Sequence, residues 1–298
     1  MKRLLQCCLL ILFIFSPFIN SARAAKFKPI VLHPDYQHDK FVTLPKDILR
    51  QFRAYLASFD SEDDDDGDGE PDLWGIPHFV AYEIKRFPGT LGAGPERPNN
   101  WITDKKLAKA GIAPTDATYS YSPAFRKTHP NWYDRGHLCM KEHAWRLGPN
   151  ADWNTHTVLN AVPQRHEFNA GIWLDLENKT AEWADEYGDV WIIAGPIITN
   201  RTPREWLGEP QKGEMKIAIP DALFKIVIKE SDNPYRPDVL AFIYPQEGPG
   251  FNAGPFEHER YLVSVDEIEA VTGLDFLTVL PDWEEEDIES VATAELWQ

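Results

Sequence analysis

Residues 133–137 read Tyr133-Asp134-Arg135-Gly136-His137, and downstream come Asn160-Ala161-Val162-Pro163-Gln164, then Asn169, Trp173 and Glu177. No other stretch of the chain gathers as many chemically useful side chains. Singly, each has a plainer use: a satisfied structural histidine, an asparagine N-cap, a surface glutamate. Together they match the needs of phosphodiester hydrolysis, which are an activated water, a cation to offset charge on the phosphate and leaving oxygen, and a donor for the non-bridging oxygens. His137 suits the first need, because a neutral imidazole titrates near working pH and takes a proton from water. Asn169 suits the second, since a neutral oxygen ligand fits Mg²⁺. Glu177 lies eight residues on, about 12 Å along a helix, with its side chain leaning back toward the N-terminus. That distance favours ordering metal-bound waters over touching the ion.

The ordered set resembles the nonspecific DNA/RNA endonuclease family of the ββα-metal nucleases. Asp134-Arg135-Gly136-His137 matches the family's central motif, followed in family order by Asn160 with Pro163-Gln164, Asn169 with Trp173, and Leu176-Glu177. The resemblance runs from about Phe79 to Leu280. It takes in Ala194-Gly195-Pro196, an Ile219-Pro220 to Ile228 hairpin, and Val263 to Ile268 leading to Thr272-Gly273-Leu274-Asp275-Phe276. It implies a sugar-nonspecific endonuclease acting on DNA and RNA with Mg²⁺ or Mn²⁺, leaving a 5′ phosphate. His137 would be the general base and Asn169 the direct protein ligand of the ion. Asn160 matches a position that organises the metal's water shell or the backbone around His137.

The family also uses an arginine upstream of the motif to stabilise the transition state. Arg97, shortly before Asn100-Trp101, is the candidate, with Arg86 as the fallback. Arg135 would either grip the phosphate bidentately or pair with Asp134 to shape the loop. Arg165 reads either as a further phosphate contact or as a plain surface cation, and Asp134 is expected to orient its neighbours from outside the ligand set. His137, His143, His156 and His166 match no common zinc spacing, and the single nearby thiol, Cys139, reads as a small buried residue.

Outward from this cluster, the 298 residues are 43% hydrophobic and 26% charged, an ordinary globular composition that excludes collagen-like, disulfide-scaffold and wholly disordered chains. Residues 1–24 read as a signal peptide: Lys2 and Arg3, an apolar run from Leu4 to Phe18, then Ala22-Arg23-Ala24 as the cleavage site. With Pro17 inside it, the run is short for a membrane anchor, so the expected location is periplasmic or secreted. Cleavage would remove Cys7 and Cys8 and leave Cys139 alone. Loss of Lys2, Arg3 and Arg23 takes the formal net charge from −17 to −20. A chain so acidic looks like a poor nucleic-acid binder. Residues 78–170, however, hold twelve Lys/Arg against eight Asp/Glu, with six of the nine histidines.

Residues 25–77 are expected to form an N-terminal helix plus an acidic loop. Ile48, Leu49, Phe52, Tyr55 and Leu56 fall at helical spacing after Pro45. Between Ser61 and Asp72, Asp64, Asp66, Asp68, the Glu70 carbonyl and Asp72 take calcium-loop positions, although Gly75 replaces the usual final glutamate. The pattern resembles the loops of bacterial thrombospondin-type-3-like repeats; a solvated acidic linker is the alternative. The nuclease domain is placed at 78–282 and an acidic, solvated tail at 283–298. Strand signals at His78–Arg86, Val190–Ile198, Met215–Ile219, Phe224–Lys229 and Val239–Tyr244 point to an α+β fold, a central antiparallel sheet flanked by helices around a ββα-metal core. Ser264 and Glu267 predict a capping box for a helix ended by Gly273. Two other readings of function stay open: a catalytically inactive nuclease-fold protein that binds calcium, and a phosphodiesterase for a small non-polymeric substrate. Oligomeric state is not legible.

Overall fold

The structure, a computed structural model, describes residues 36–42, 48–59, 73–120, 132–233 and 236–298. The signal segment and the Asp64–Asp72 loop lie outside the described residues. In chain order the first strands are β1 (Ile48–Gln51), β2 (Leu56–Phe59), β3 (Pro77–Ile84), β4 (Tyr133–His137), β5 (Ala161–Arg165) and β6 (Val190–Ile197). Then come β7 (Glu205–Leu207), β8 (Ile217–Ile219), β9 (Ala222–Lys229), β10 (Asp238–Pro245) and β11 (Leu262–Val263). Seven of them form an antiparallel sheet in the order β1-β2-β3-β6-β9-β10-β11, and β4-β5 and β7-β8 are separate ribbons. The fold is α+β with a large antiparallel sheet, as the sequence predicts.

The principal helices are α1 (Lys105–Ala110), α2 (Lys141–Trp145), α3 (Pro149–Asn154), α4 (Leu174–Tyr187), α5 (Val265–Thr272) and α6 (Asp282–Glu289). The central strands are buried on both faces. In β9, Leu223 and Val227 pack with Trp173, Leu176 and Trp183 on one side, while Phe224, Ile226 and Ile228 meet Val265, Ile268 and Phe276 on the other. This two-sided cover explains the nearly continuous apolar runs in β6 and β9. Lys225 falls between Leu223 and Val227 on the α4 side and is fully buried. Among the described residues, no helix is long and apolar enough to cross a membrane.

Several expectations need correction. The predicted N-terminal helix is a hairpin: β1 pairs with β2 from Ile48↔Phe59 to Gln51↔Leu56, closed by a bond from Phe52 N to Tyr55 O at 2.8 Å. Its apolar spacing also fits a helix, but β2 is wholly buried and pairs with β3, and that tertiary burial outweighs local periodicity. Phe59 pairs with Pro77, so the acidic segment connects two neighbouring strands of one sheet and does not divide domains. The central sheet therefore begins before residue 78. β8 and β9, expected as a hairpin, belong to different sheets, because β9 takes β6 and β10 as its partners. The C-terminal acidic stretch is no solvated tail. It forms α6, with Glu284 and Glu289 buried and Arg236 paired to both Glu284 and Asp287. The capping box on α5 is present, with Glu267 N donating to Ser264 Oγ at 3.1 Å and Ser264 N donating to Glu267 Oε2 at 2.8 Å.

Candidate active site

The β4-β5 ribbon carries the Asp-Arg-Gly-His motif outside the main sheet, with Asp134 opposite Gln164 and Gly136 opposite Val162. A Cβ on Gly136 would lie 2.2 Å from the Gln164 side chain, so only glycine lets this fully buried glutamine cross the strand. Immediately after β5 the chain turns into a helix that opens at Asn169–Trp173 into a wider π turn before continuing as α4. Gly171 there has non-helical backbone angles and lies so close to Pro249–Phe251 that a Cβ would meet backbone atoms at 2.6–2.8 Å. Eight residues of ideal helix overshoot two turns by about 80°. One wider turn absorbs part of that excess. Asn169 and Glu177 consequently both line one open cleft of about 580 Å³, together with His137, Arg97, Arg135, Lys141 and Trp101.

His137 is half-buried, its ring 4.5 Å from that of Trp101 and 5.4 Å from that of His156. Its Nε2 is shielded and has no hydrogen-bond partner. Burial, and after it His156, Arg97, Arg135 and Lys141, holds the imidazole well below its ordinary pKa, so it is neutral at pH 7. The Trp173 indole N–H donates to the His137 carbonyl at 3.3 Å and ties the end of β4 to the π turn.

Asp134 Oδ2 accepts from His166 Nδ1 at 2.7 Å and from Asn169 Nδ2 at 3.1 Å, while its Oδ1 accepts from Trp132 Nε1 at 3.2 Å. With the amide nitrogen of Asn169 committed, its Oδ1 is the ligating atom it has to offer. Glu177 is buried, not a surface carboxylate, and its Oε1 is unpartnered by hydrogen bonds. Burial raises its carboxyl to about 7, against the pull of Lys225, whose Nζ is 3.9 Å from Oε1 and 4.0 Å above the Trp173 ring. The lysine, buried in turn, is lowered to about 8. His143 on α2 donates from Nε2 to the Glu177 carbonyl at 2.9 Å and accepts from the Tyr82 hydroxyl at 3.3 Å; burial and then Lys225 hold it near 3.

Asn160 stays out of the cleft. It is fully buried, accepts from Cys139 N at 2.8 Å and donates to the carbonyls of Cys139 and Thr155, so it fixes the backbone just past His137. Arg135 lines the cleft but pairs with Asp116, not Asp134, and its guanidinium lies 5.2 Å from the Trp101 ring centre. Arg97 is exposed at the cleft, 3.9 Å from Glu142, whereas Arg86 is absent from the lining. Arg165 pairs with Glu247 at 2.9 Å and borders an adjoining 190 Å³ cleft shared with Tyr133, which lines both. Cys139 is buried, and none of the four histidines joins a metal-type cluster among the described residues. Lys225, Asp116 and Trp101 were not singled out from sequence. Only Lys225 leaves a signal there, as a lone charge inside the apolar strand run Leu223–Ile228.

Residues 72–282 match the model of the DNA/RNA non-specific endonuclease family. The chain is 31% identical over 214 residues to a nuclease of Nostoc sp., covering 68% of each chain. It is 29% identical to a nuclease of Serratia marcescens over 69% of this chain and 70% of that one. Identity to the human mitochondrial nuclease EXOG is 28%, over 48% of this chain and 39% of that protein. Among solved structures, a crystal structure of the EndoG/EndoGI complex superposes with a TM-score of 0.54 at 18% identity, covering 79% of this chain and 87% of that one.

Proposed function

The chain belongs to the DNA/RNA non-specific endonuclease family, a hydrolase family of metal-dependent nucleases, and from that premise we propose that it is an exported, Mg²⁺-dependent endonuclease that cuts both DNA and RNA with His137 as general base. The observation that carries this reading is the shielded, unpartnered Nε2 of a neutral His137 in the cleft that Asn169 and Glu177 also line.

In this reading a water between His137 and the phosphate loses its proton to Nε2 as it attacks phosphorus in line. Arg97 and Arg135 hold the non-bridging oxygens, and Asp116 keeps the Arg135 guanidinium positioned until phosphate arrives. Asn169 Oδ1 and the unpartnered Glu177 Oε1 form an oxygen donor set that suits Mg²⁺ or Mn²⁺, and these are the residues that would hold it, Glu177 through water. The ion, when bound, supplies positive charge where the phosphate and the departing 3′ oxygen turn negative. Arg165, in the adjoining cleft, extends phosphate contact beyond the scissile group, as a polymeric substrate requires. Such contacts read no sequence, so sequence preference is weak. Residues 1–24 direct the protein to the periplasm or the exterior.

Cleavage of supercoiled plasmid and of a structured RNA, with Mg²⁺ or EDTA, tests the proposal. Both substrates are lost only with Mg²⁺, and His137→Ala slows the loss by about 10²–10⁴-fold. Absence of cleavage by the folded parent with either Mg²⁺ or Mn²⁺ overturns it. A rate that falls steeply with salt marks a polymer substrate; indifference to salt points to a small phosphodiester.

A further inference from the structure

Away from the cleft, the carboxylates of Asp266, Glu269 and Glu289 converge where α5 meets α6, one oxygen from each lying within 4.8 Å of the other two. Asp266 and Glu269 are three residues apart on α5 and share a face. Glu289 ends α6, is only 6% exposed, brings one carboxylate oxygen into the group, and has an Oε1 with no hydrogen-bond partner. An ionised carboxylate buried without a partner is costly, and the negative end of its own helix adds to the cost. The dominant charges around it, Glu269, Glu285, Asp266 and Asp275, are all acidic and, after burial, push its carboxyl up to about 8. Either a proton or a cation relieves such crowding.

We propose that Asp266, Glu269 and Glu289 form a Ca²⁺ site, distinct from the catalytic cleft, that pins α6 to α5. Three carboxylates are hard donors, which select Ca²⁺ or Mg²⁺ over softer metals. Mg²⁺ gives up its waters reluctantly and is usually held through one or two carboxylates, so three converging carboxylates suit calcium. Glu269 is already oriented, its Oε1 accepting from Phe276 N at 2.6 Å. Exposed Asp266 leaves a way in for the ion and room for waters. The pinned helices cover the sheet face opposite α4, where Val265, Ile268, Phe276 and Leu277 are buried and Ile288 packs against them.

Equilibrium dialysis of the full chain with radiolabelled Ca²⁺ compares the parent with Glu289→Gln and Asp266→Asn. Any ion held by the cleft or by the acidic segment is common to all three proteins, so the difference reads this site. The expected result is loss of one Ca²⁺ per chain, or binding about tenfold weaker at one site. The Ca²⁺-induced rise in Tm is lost with it, while plasmid cleavage is unchanged. Asp266 is exposed on a helix, so its substitution keeps the test valid should the buried variant fold poorly. Equal stoichiometry and an equal Tm rise in all three proteins overturn the site and leave a proton on Glu289. A Glu289-dependent rise of the same size with Mg²⁺ overturns the calcium assignment.

Discussion

The side-chain amide of Asn169 donates from Nδ2 to Oδ2 of Asp134 across 3.1 Å, joining the β4 ribbon to the π turn. A carboxylate only accepts, so this bond decides which end of the amide faces Asp134 and which is left for a cation. Asp134→Ala removes that constraint together with the anchor of His166. Divalent-ion affinity should fall about 10–100-fold, as for other residues that orient a ligand. Calorimetric titration with Mn²⁺ measures it, and unchanged affinity would show that Asn169 is positioned by other means.

Gly136 leaves room for Gln164, and alanine there overpacks the ribbon. Gly136→Ala should cost about 1–3 kcal/mol and displace the neighbouring His137. Thermal unfolding reads the loss, and Gly136→Ala/Gln164→Ala should recover part of it because the two side chains compete for one space. No recovery in the double variant would locate the strain elsewhere.

Lys225 and Glu177 are a buried pair of opposite charges. Lys225→Met strands the carboxylate and should destabilise the protein by about 3–5 kcal/mol, whereas Lys225→Met/Glu177→Gln should cost clearly less. Denaturant titration of the single and double variants gives the coupling. Additive losses would mean that the two charges do not support one another.

His143 is held near 3 in the folded protein by burial and Lys225, while the unfolded chain takes up that proton near 6.5. Between these values the unfolded state binds more protons, so stability present above about 6.5 is lost as pH falls toward 3. His143→Gln, which keeps a donor for the Glu177 carbonyl, should lower Tm at pH 7 yet show a smaller further drop at pH 4.5. A drop as steep as the parent's would assign the acid sensitivity to other groups.

That His137, Asn169 and Glu177 line one cleft was legible in sequence, because such residues are chemically rare in combination and ordered along the chain. The central strands were legible because a sheet covered on both faces writes itself as continuous apolar runs. Ile48–Phe59 was not, since a few apolar positions satisfy helix and hairpin alike and only the pairing of β2 with β3 decides between them. Arg135 had Asp134 as a partner by proximity in sequence and pairs instead with Asp116, which the fold brings in from the short 3-10 helix Asp116–Tyr119. Lys225 gave a hint of burial only as a lone charge in an apolar run, and Glu289 gave none, because nothing local to a charged residue says that a helix will close over it.

The π turn at Asn169–Trp173 sets the phase of everything after it. Upstream and downstream of the turn, the helix obeys two clocks offset by a fraction of a rotation, so a helical wheel drawn through the whole segment misplaces Glu177 relative to Asn169. Deleting one residue there would leave the helix almost as long and every side chain still present. It would also rotate the carboxylate and the buried residues Leu176 and Trp183 that follow the turn against the sheet by about 100°. At this point the protein tolerates substitution more readily than a change of count.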